Sequence, residues 1–371
     1  MAPVLLSVLS VFSVVSVLSA QTVDASAISR ARAAIQSAIA DGAAPGAAVA
    51  VATQDGVVWE EGFGLADLER RIPASAASRF GVGSISKAFT LAAALTLVDD
   101  GRFDLDRPLE RYLVDFPHAG MGITARRIAV HQSGLSDAFA DAHYYSTAHF
   151  PDLDSAYRWI RSEFLMAPPG TRTVYATGLF TILGRALEVA DGRPYVELMA
   201  RRVFDRAGMR QTRPNDPRAP DSARVTFYLA ADGGRFRPAP RVDPSFKLPG
   251  AGFLATAGDV ARFGAALLGD RLLSAGSRRE MFTPVPLSDG TPTIFALGLQ
   301  ALTEAGHRVL LQPGGGPGIT GWLAVYPDDG LVVALLSNAT GAGLDQARQA
   351  VAAAFLSVIP STDIPSSPPS Q

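Results

Sequence analysis

The chain has 371 residues, of which 48% are hydrophobic and 18% charged, so it can fold around one large core or two medium ones. Its net charge of -2 and the lack of any run of lysines or arginines argue against nucleic-acid binding. It has no cysteine, which excludes disulfides, thiolate metal sites and lipid-modified cysteines, while an oxidising compartment is permitted but not demonstrated.

The first 20 residues are typical of a signal peptide. Residues 3–20 are apolar and end in Val-Leu-Ser-Ala before a polar pair, although no basic residue precedes them. Repeated serines make this stretch too polar for a good membrane span. We therefore expect export to the periplasm or the medium, with no stable membrane span once residues 1–20 are removed. The Ser- and Pro-rich tail, 361–371, is expected to be disordered.

The predicted elements begin with a helix over 27–40 and a hairpin of two strands, 47–53 and 57–62, around an Asp55-Gly56 turn. A buried helix follows Gly83, because apolar residues recur there at three- and four-residue steps while charges lie only at its ends. Those apolar residues are Ala88, Leu91, Ala92, Leu95 and Val98.

Ser84 and Lys87 lie in the first turn of this helix, on the same face. One interpretation is a capping serine and a lysine that extends to water. The other is chemical: burial and the positive end of the helix dipole both favour a neutral amine, which is a base. Such an amine can take the proton of Ser84, and the Ser84 amide can donate to an oxyanion.

The rest of the chain changes character twice. Residues 104–224 are polar and helical with few strand signals, and include a helix over about 178–190. Strand patterns then return, and the chain closes with a helix over 344–358. These later strands are predicted at 295–301, 308–312, 321–326 and 331–337. The pattern predicts an α+β fold: an antiparallel sheet flanked by helices (28–103 and 225–358), interrupted by an inserted all-helical lobe (104–224).

Five short motifs are spread along residues 28–358. They are Phe-Gly-Val-Gly-Ser-Ile-Ser-Lys-Ala-Phe-Thr at 80–90, His-Gln-Ser-Gly-Leu at 131–135, Pro-Gly-Thr-Arg at 169–172, Pro-Gly-Ala-Gly-Phe-Leu-Ala-Thr-Ala-Gly-Asp at 249–259 and Gly-Gly-Gly-Pro-Gly at 314–318. With them the chain resembles the serine β-lactamase and penicillin-binding protein superfamily, in its class C β-lactamase-related branch. That branch includes D,D-peptidases, D-aminopeptidases, esterases and LACTB-like serine proteases. The resemblance implies a β-lactamase-like, two-lobed architecture.

The resemblance also implies further site residues. Tyr175 matches the tyrosine of the family's Tyr-x-Asn or Tyr-x-Ser element and would share acid and base duty with Lys87. Thr177 stands where the family has Asn or Ser, so a hydroxyl remains but a carboxamide contact to an amide substrate is lost. Gln312 replaces the cation of the family's Lys-Thr-Gly or His-x-Gly element. Close approach to a ligand at Gly314 and an oxyanion donor at the Gly315 amide, beside that of Ser84, would complete the site.

The histidines indicate no further chemistry. The segment 137–154 holds His143, His149 and several aspartates, but no His-x-x-x-His pair on a helix, so an aromatic rim over the pocket is favoured over a metal loop. His131 is interpreted as structural. No Gly-x-Ser-x-Gly signals a Ser-His-Asp hydrolase. We expect neither a metal nor an organic cofactor.

The sequence therefore predicts a serine hydrolase that forms an acyl-enzyme on Ser84. An ester, a β-lactam or a D-amino-acid peptide is the expected small-molecule substrate, with an esterase-like preference because Thr177 and Gln312 depart from the family pattern. The same departures motivate the alternative, a catalytically silent protein that binds a ligand or peptidoglycan.

Overall fold

A computed structural model describes residues 24–358 of the chain. The predicted signal peptide, 1–20, and the predicted disordered tail, 361–371, lie outside the described residues. Within 24–358, no helix combines the length and the apolar character that crossing a bilayer requires.

Thirteen strands are present in the described part of the chain. In chain order they are β1 (Gly46–Thr53), β2 (Gly56–Asp67), β3 (Ile72–Pro73), β4 (Phe80–Gly81), β5 (Arg213–Pro214), β6 (Tyr228–Ala231), β7 (Arg235–Pro238), β8 (Phe253–Ala255), β9 (Phe295–Ala296), β10 (Leu299–Glu304), β11 (His307–Gly316), β12 (Ile319–Tyr326) and β13 (Leu331–Ser337). Eight of them form one antiparallel sheet in the order β3-β2-β1-β13-β12-β11-β10-β9. The strands β4, β8 and β5 form a small second sheet, and β6 and β7 a hairpin.

Helices cover both faces of the main sheet. They are α1 (Ala25–Ala40), α2 (Ile85–Asp99), α3 (Ala125–Ala129), α4 (Ala138–Ala142), α5 (Leu153–Ile160), α6 (Leu179–Asp191), α7 (Tyr195–Met199), α8 (Asp205–Ala207), α9 (Leu248–Ala251), α10 (Ala257–Leu268), α11 (Ala275–Met281) and α12 (Asp345–Leu356). Short 3-10 helices lie at Leu109–Arg111, Asp232–Gly234 and Pro244–Lys247, and a π-helical turn at Ala200–Phe204 joins α7 to α8.

The central strands are buried on both sides, which explains their nearly uninterrupted apolar sequences. Successive side chains of a strand point to opposite faces. Ala48 and Ala50 of β1 accordingly pack into the core that contains α2 and α10, whereas Val49 and Val51 pack into the core that contains α1 and α12. The main sheet is thus the middle layer of three.

The predicted fold class is confirmed, with two local differences. The predicted strand 295–301 is split into β9 and β10, because Gly298 adopts a left-handed conformation (φ 72°) that turns the chain between them. In the segment 104–224 the regular elements are helices joined by long irregular stretches, apart from isolated bridges and β5, which pairs with β8 and so ties this segment to the remainder of the chain. The boundaries of the two lobes stay a prediction.

Helix α2 is surrounded by protein. Every residue from Ile85 to Leu97 is buried, as expected for a helix that is apolar on all sides. The hydroxyl of Thr90, one of its few polar groups, has partners on two neighbouring segments: the Tyr195 hydroxyl and the Pro249 carbonyl, each at 2.7 Å. Contacts along the whole of α2 therefore fix the position of its first turn.

Candidate active site

Ser84 lies at the N-cap position of α2, and its hydroxyl makes no capping hydrogen bond. The side chain turns to Lys87 and Tyr175 instead, each 2.9 Å from Ser84 Oγ. A serine that merely capped the helix would direct its oxygen at a backbone amide of the first turn. The geometry therefore favours the chemical interpretation of this pair over the capping one.

The Lys87 side chain is completely buried. Its amine has three oxygen partners: Ser84 Oγ at 2.9 Å, Thr177 Oγ1 at 3.0 Å and the Gly250 carbonyl at 3.1 Å. Burial lowers the pKa of Lys87 to about 7, although the nearby Asp137 opposes the shift. In the neutral form, the two N–H groups satisfy Thr177 and Gly250, and the lone pair is left facing Ser84.

Tyr175 lies on the loop before α6 and donates its hydroxyl hydrogen to Ser84 Oγ. The residue is 45% exposed, so one side of its ring borders solvent while the hydroxyl reaches the buried serine. Burial of the hydroxyl raises its pKa, and hydrogen bonds with Ser84, Gln312 and Thr177 oppose that shift. Tyr175 is consequently protonated at neutral pH and can give up a proton.

His131 supports Tyr175 from behind. The two ring centroids lie 4.2 Å apart with the ring planes tilted by 34°, and His131 Nδ1 accepts a hydrogen bond from the Ala176 amide at 3.2 Å. Burial lowers the pKa of His131 well below its usual value, so the ring is neutral and its proton lies on Nε2. The sequence interpretation of His131 as structural fits these contacts, but it did not predict the contact with Tyr175.

Asp137 fixes the loop that carries Thr177. Its carboxylate accepts hydrogen bonds from the amides of Thr177 (2.6 Å) and Gly178 (2.9 Å), at the start of α6. Burial raises the pKa of Asp137 to about 7, against the effect of those two hydrogen bonds and of Lys87. Nothing in the sequence pattern singled out Asp137, since the aspartate is 40 residues away from the threonine that it holds.

Two glycines bring the start of α2 against the end of β11. Gly83 adopts a left-handed conformation (φ 51°), and a β-carbon there would lie 2.6 Å from the Gly315 nitrogen. A β-carbon on Gly314 would lie 2.1 Å from the Val82 carbonyl oxygen. Contacts this short exclude any side chain at either position. The Gly315 amide is thereby brought beside the residue that precedes Ser84, as an oxyanion hole requires.

Gln312 lies on β11, 3% exposed, on the same strand face as Leu310, which packs into the core that contains α2. It contacts the Tyr175 hydroxyl, and its side-chain amide also donates to the Pro313 carbonyl at 3.1 Å. All the predicted site residues therefore lie together around the Ser84 hydroxyl. They are Ser84, Lys87, Tyr175, Thr177, Gln312, Gly314 and Gly315.

His149, in the segment 137–154 that the sequence suggested as an aromatic rim or a metal loop, contributes to a separate cluster. His149 Nδ1 donates to the Asp243 carboxylate at 2.9 Å, and Arg218 contacts His149 Nε2 while pairing with Asp216. These three potential ligands, His149, Asp216 and Asp243, lie within 4.8 Å of one another. Because both imidazole nitrogens are engaged and Arg218 supplies a cation, the cluster is satisfied as an ion-pair network.

The antiparallel sheet, its flanking helices and the serine-lysine pair at the start of a buried helix define a protein of the serine β-lactamase-like class. The chain belongs to the beta-lactamase family, whose model matches residues 31–356. Members of this family are serine hydrolases, and they include D-aminopeptidases and amidohydrolases. The resemblance inferred from the sequence motifs is confirmed.

Three known proteins illustrate the relationship. The human mitochondrial serine beta-lactamase-like protein LACTB is 25% identical over 326 residues, covering 66% of this chain and 59% of that protein. A D-aminopeptidase from Gluconobacter oxydans (strain 621H) is 30% identical over 283 residues, covering 75% and 52%. A D-stereospecific amidohydrolase from Streptomyces sp. matches with a TM-score of 0.71 at 26% identity, over 88% of this chain and 98% of that structure. This chain spans a little over half the length of the first two relatives.

Proposed function

We propose that this protein is an exported serine hydrolase that forms an acyl-enzyme on Ser84. The observation that carries the proposal is the position of Ser84 Oγ, which lies 2.9 Å from both the Lys87 amine and the Tyr175 hydroxyl. A nucleophile needs a base within hydrogen-bond reach, and a leaving group needs an acid. This site offers one on each side of the same oxygen.

The proton inventory of acylation closes with these groups. Neutral Lys87 takes the proton of Ser84, whose oxygen attacks the substrate carbonyl carbon, and the amides of Ser84 and Gly315 hold the resulting oxyanion. When the bond to the leaving group breaks, Tyr175 donates its proton to that group. Lys87 then returns the proton it holds to the Tyr175 oxygen, which restores both residues. In deacylation, water attacks the acyl carbonyl carbon and Ser84 Oγ is the leaving group. Lys87 and Tyr175 again carry the protons, and the acid is released.

An esterase-like preference is the finer part of the proposal. A neutral Gln312 can offer only a neutral hydrogen bond to a carboxylate on the leaving-group side, and charge-assisted bonds are about twice as strong. Lack of the cation is expected to cost such substrates about ten- to thirty-fold in kcat/KM. Thr177 has a hydroxyl but no carboxamide to offer an amide substrate. Short neutral esters lose nothing from either replacement.

The names of the relatives point to the competing substrate class, amides of D-amino acids. A catalytically silent ligand-binding protein is the second candidate, and the observation in its favour is the neutral, buried Gln312 in the third element. The position of Lys87 supports the enzyme instead, because its amine lies 2.9 Å from Ser84 Oγ and burial lowers its pKa to about 7, as a base for that hydroxyl requires.

Active-site labelling tests the proposal directly. The protein is incubated separately with a fluorophosphonate and with a fluorescent penicillin, and intact mass is measured beside a Ser84→Ala variant. One adduct per chain in the wild type and none in Ser84→Ala is the expected result. Labelling that persists in Ser84→Ala would show that another residue reacts. Absence of labelling in the wild type, with probes that label related enzymes, would favour the silent binding protein.

A further inference from the structure

The sequence contains two lysines among its 33 basic residues, and the second one, Lys247, also lies beside the site. Lys247 ends the 3-10 helix that leads into α9. Three residues later, the Gly250 carbonyl accepts the hydrogen bond from Lys87, and the Gly250 backbone abuts the Thr177 carbonyl. Lys247 therefore belongs to the segment that borders Ser84 on the Thr177 side.

Lys247 is unusual among the buried cations of the described chain, because its ammonium makes no direct hydrogen bond or ion pair, although Asp137 and Asp141 act on it at longer range. The residue is 9% exposed, and its ammonium contacts only the ring faces of Tyr144 (4.7 Å) and Phe246 (5.2 Å), with no hydrogen bond or ion pair to any described residue. By contrast, buried Arg79 pairs with Asp221, and buried Arg348 pairs with Glu304. Burying an ammonium without a partner is costly, so its retention calls for an anion.

The charged groups around Lys247 do not supply this anion by direct contact. Asp137 raises the pKa of Lys247, but its carboxylate is already bonded to the amides of Thr177 and Gly178. Asp141 is exposed and also raises the pKa, whereas burial and then Lys87 lower it, to about 8. The two lysines therefore differ in charge at neutral pH. Lys247 is mainly charged, whereas Lys87, with a pKa of about 7, is partly neutral.

The leaving group and the acyl group point to different sides of the site. Tyr175, which would protonate the leaving group, touches Gln312. Tyr175 also contacts Thr177, so the two sides are assigned from the family resemblance. Gln312 takes the position that binds a leaving-group carboxylate, which leaves the side of Thr177 and the Lys247 segment for the acyl group. The Tyr144 ring, 37% exposed, lies over the Lys247 ammonium on that side, and it packs edge to face with the 56% exposed Tyr145.

We propose that the Lys247 ammonium binds a carboxylate carried by the acyl portion of the substrate, so that half-esters of short dicarboxylic acids are preferred over uncharged acyl esters. This inference rests on the proposed hydrolase activity and names the substrate class within it. The same charge would repel an acyl group that carries a free α-ammonium, as an unblocked amino-acid amide does. The site would thus select against the substrates that the names of the relatives suggest.

Three phenyl esters distinguish the two sides of the site. They are p-nitrophenyl butyrate, which is neutral, mono-p-nitrophenyl glutarate, with a carboxylate on the acyl side, and 4-butyryloxybenzoate, with a carboxylate on the leaving group. Each is assayed with the wild type, Lys247→Met and Lys247→Arg, and the ratio of variant to wild-type kcat/KM cancels the intrinsic reactivity of the ester. Lys247→Met should lose about ten- to thirty-fold with the glutarate ester and less than about twofold with the other two. Lys247→Arg should keep most of the preference.

A binding measurement that needs no turnover accompanies the assay. Because the chain has two lysines, [13Cε]lysine labelling yields two side-chain signals, and Lys247→Arg assigns them. In the Ser84→Ala protein, glutarate should shift the Lys247 signal and raise its pKa, whereas neutral glutaramide should not. Equal losses on all three esters in Lys247→Met, or a Lys247 signal indifferent to glutarate, would overturn the inference. If no ester is hydrolysed in a Ser84-dependent way, the proposed function fails and the glutarate titration still decides on Lys247.

Discussion

The two sides of the site are built from different chemical groups. Residues 82–84 and 312–315, here called the glycine wall, meet backbone to backbone and offer mainly main-chain N–H groups. Asp137, residues 175–177 and residues 247–250, here called the loop wall, offer ionisable side chains on loops and short helical turns around Ser84 and Lys87. Lys87 starts on the helix of the first wall and bonds to the second.

This difference separates two tasks that one surface would perform poorly together. Backbone amides do not titrate, so the glycine wall can hold an oxyanion equally at any pH. Side chains on loops change charge with pH and can be exchanged without disturbing the sheet. Substitutions on the loop wall should therefore alter protonation and substrate choice, while the position of the carbonyl oxygen stays the same. Substitutions at four positions test this division.

The largest effect is expected at Lys87, where the two walls meet. Lys87→Arg keeps the positive charge but cannot act as a base, so it should abolish acylation as completely as Lys87→Met does, by about 10²-fold or more. The measurement is kcat/KM for p-nitrophenyl butyrate together with fluorophosphonate labelling. Near-normal turnover in Lys87→Arg would show that Lys87 is not the base and that it connects the glycine wall and the loop wall only structurally.

Tyr175→Phe should cost about 10²- to 10⁴-fold in kcat/KM, because the leaving group loses its acid while the ring still stacks on His131. The losses from Tyr175→Phe and Lys87→Met should not multiply in the double variant, since the two residues act as one proton-transfer unit. Multiplicative losses would mean that they act in separate steps. Thermal unfolding of each variant serves as the control for folding.

A cation placed on the glycine wall should create the selectivity that this wall lacks. Gln312→Lys and Gln312→His should raise kcat/KM for an N-acetylated D-Ala-D-Ala peptide, which carries no ammonium on its acyl side, relative to p-nitrophenyl butyrate by about ten- to thirty-fold. Lys247→Met, on the loop wall, should leave that ratio unchanged. If neither Gln312 variant moves the ratio, or if the wild type already hydrolyses nitrocefin faster than any ester, then Gln312 does not occupy the leaving-group side.

The smallest effect is a displacement of the pH profile. Lys87 works when neutral, so activity should fall as the pH drops through its pKa of about 7. Asp137 raises the pKa of Lys87, so Asp137→Asn should move this acid limb to lower pH. The limb describes the coupled pair of Lys87 and Asp137 rather than one residue. The kcat/KM profile and the Lys87 [13Cε] titration measure the displacement.

Asp141→Asn is the matched control, since this exposed aspartate lies one turn along the same short helix and acts on Lys247 and on Asp137 but not directly on Lys87. It should displace the acid limb less than Asp137→Asn does. A limb that moves to higher pH in Asp137→Asn would show that the aspartate acts on Lys87 mainly by shaping the loop. A reduced maximum rate with a displaced limb remains consistent, because the asparagine can accept only part of the bonding from Thr177 and Gly178.

The elements that the sequence predicted best are those whose signal is local. The apolar runs of β1, β11, β13 and α2 each lie within a short stretch of sequence, and Lys87 follows Ser84 by three residues on one helix face. Tyr175, Thr177, Gln312 and Gly315 were found by their motifs, through a resemblance to a family rather than from periodicity.

Three features of the site could not be predicted from the sequence. They are the role of Asp137, the contact of His131 with Tyr175 and the unpaired charge of Lys247. Each depends on segments that lie 40 or more residues apart in sequence and meet only when α6 and α9 pack against α2. A lone lysine in the apolar stretch 246–250 was the one local hint. The sequence by itself determined the sheet, the buried helix and the serine-lysine pair, because short-range spacing decides these. Tertiary packing alone decided which groups are desolvated beside that pair, and desolvation is what sets their charge.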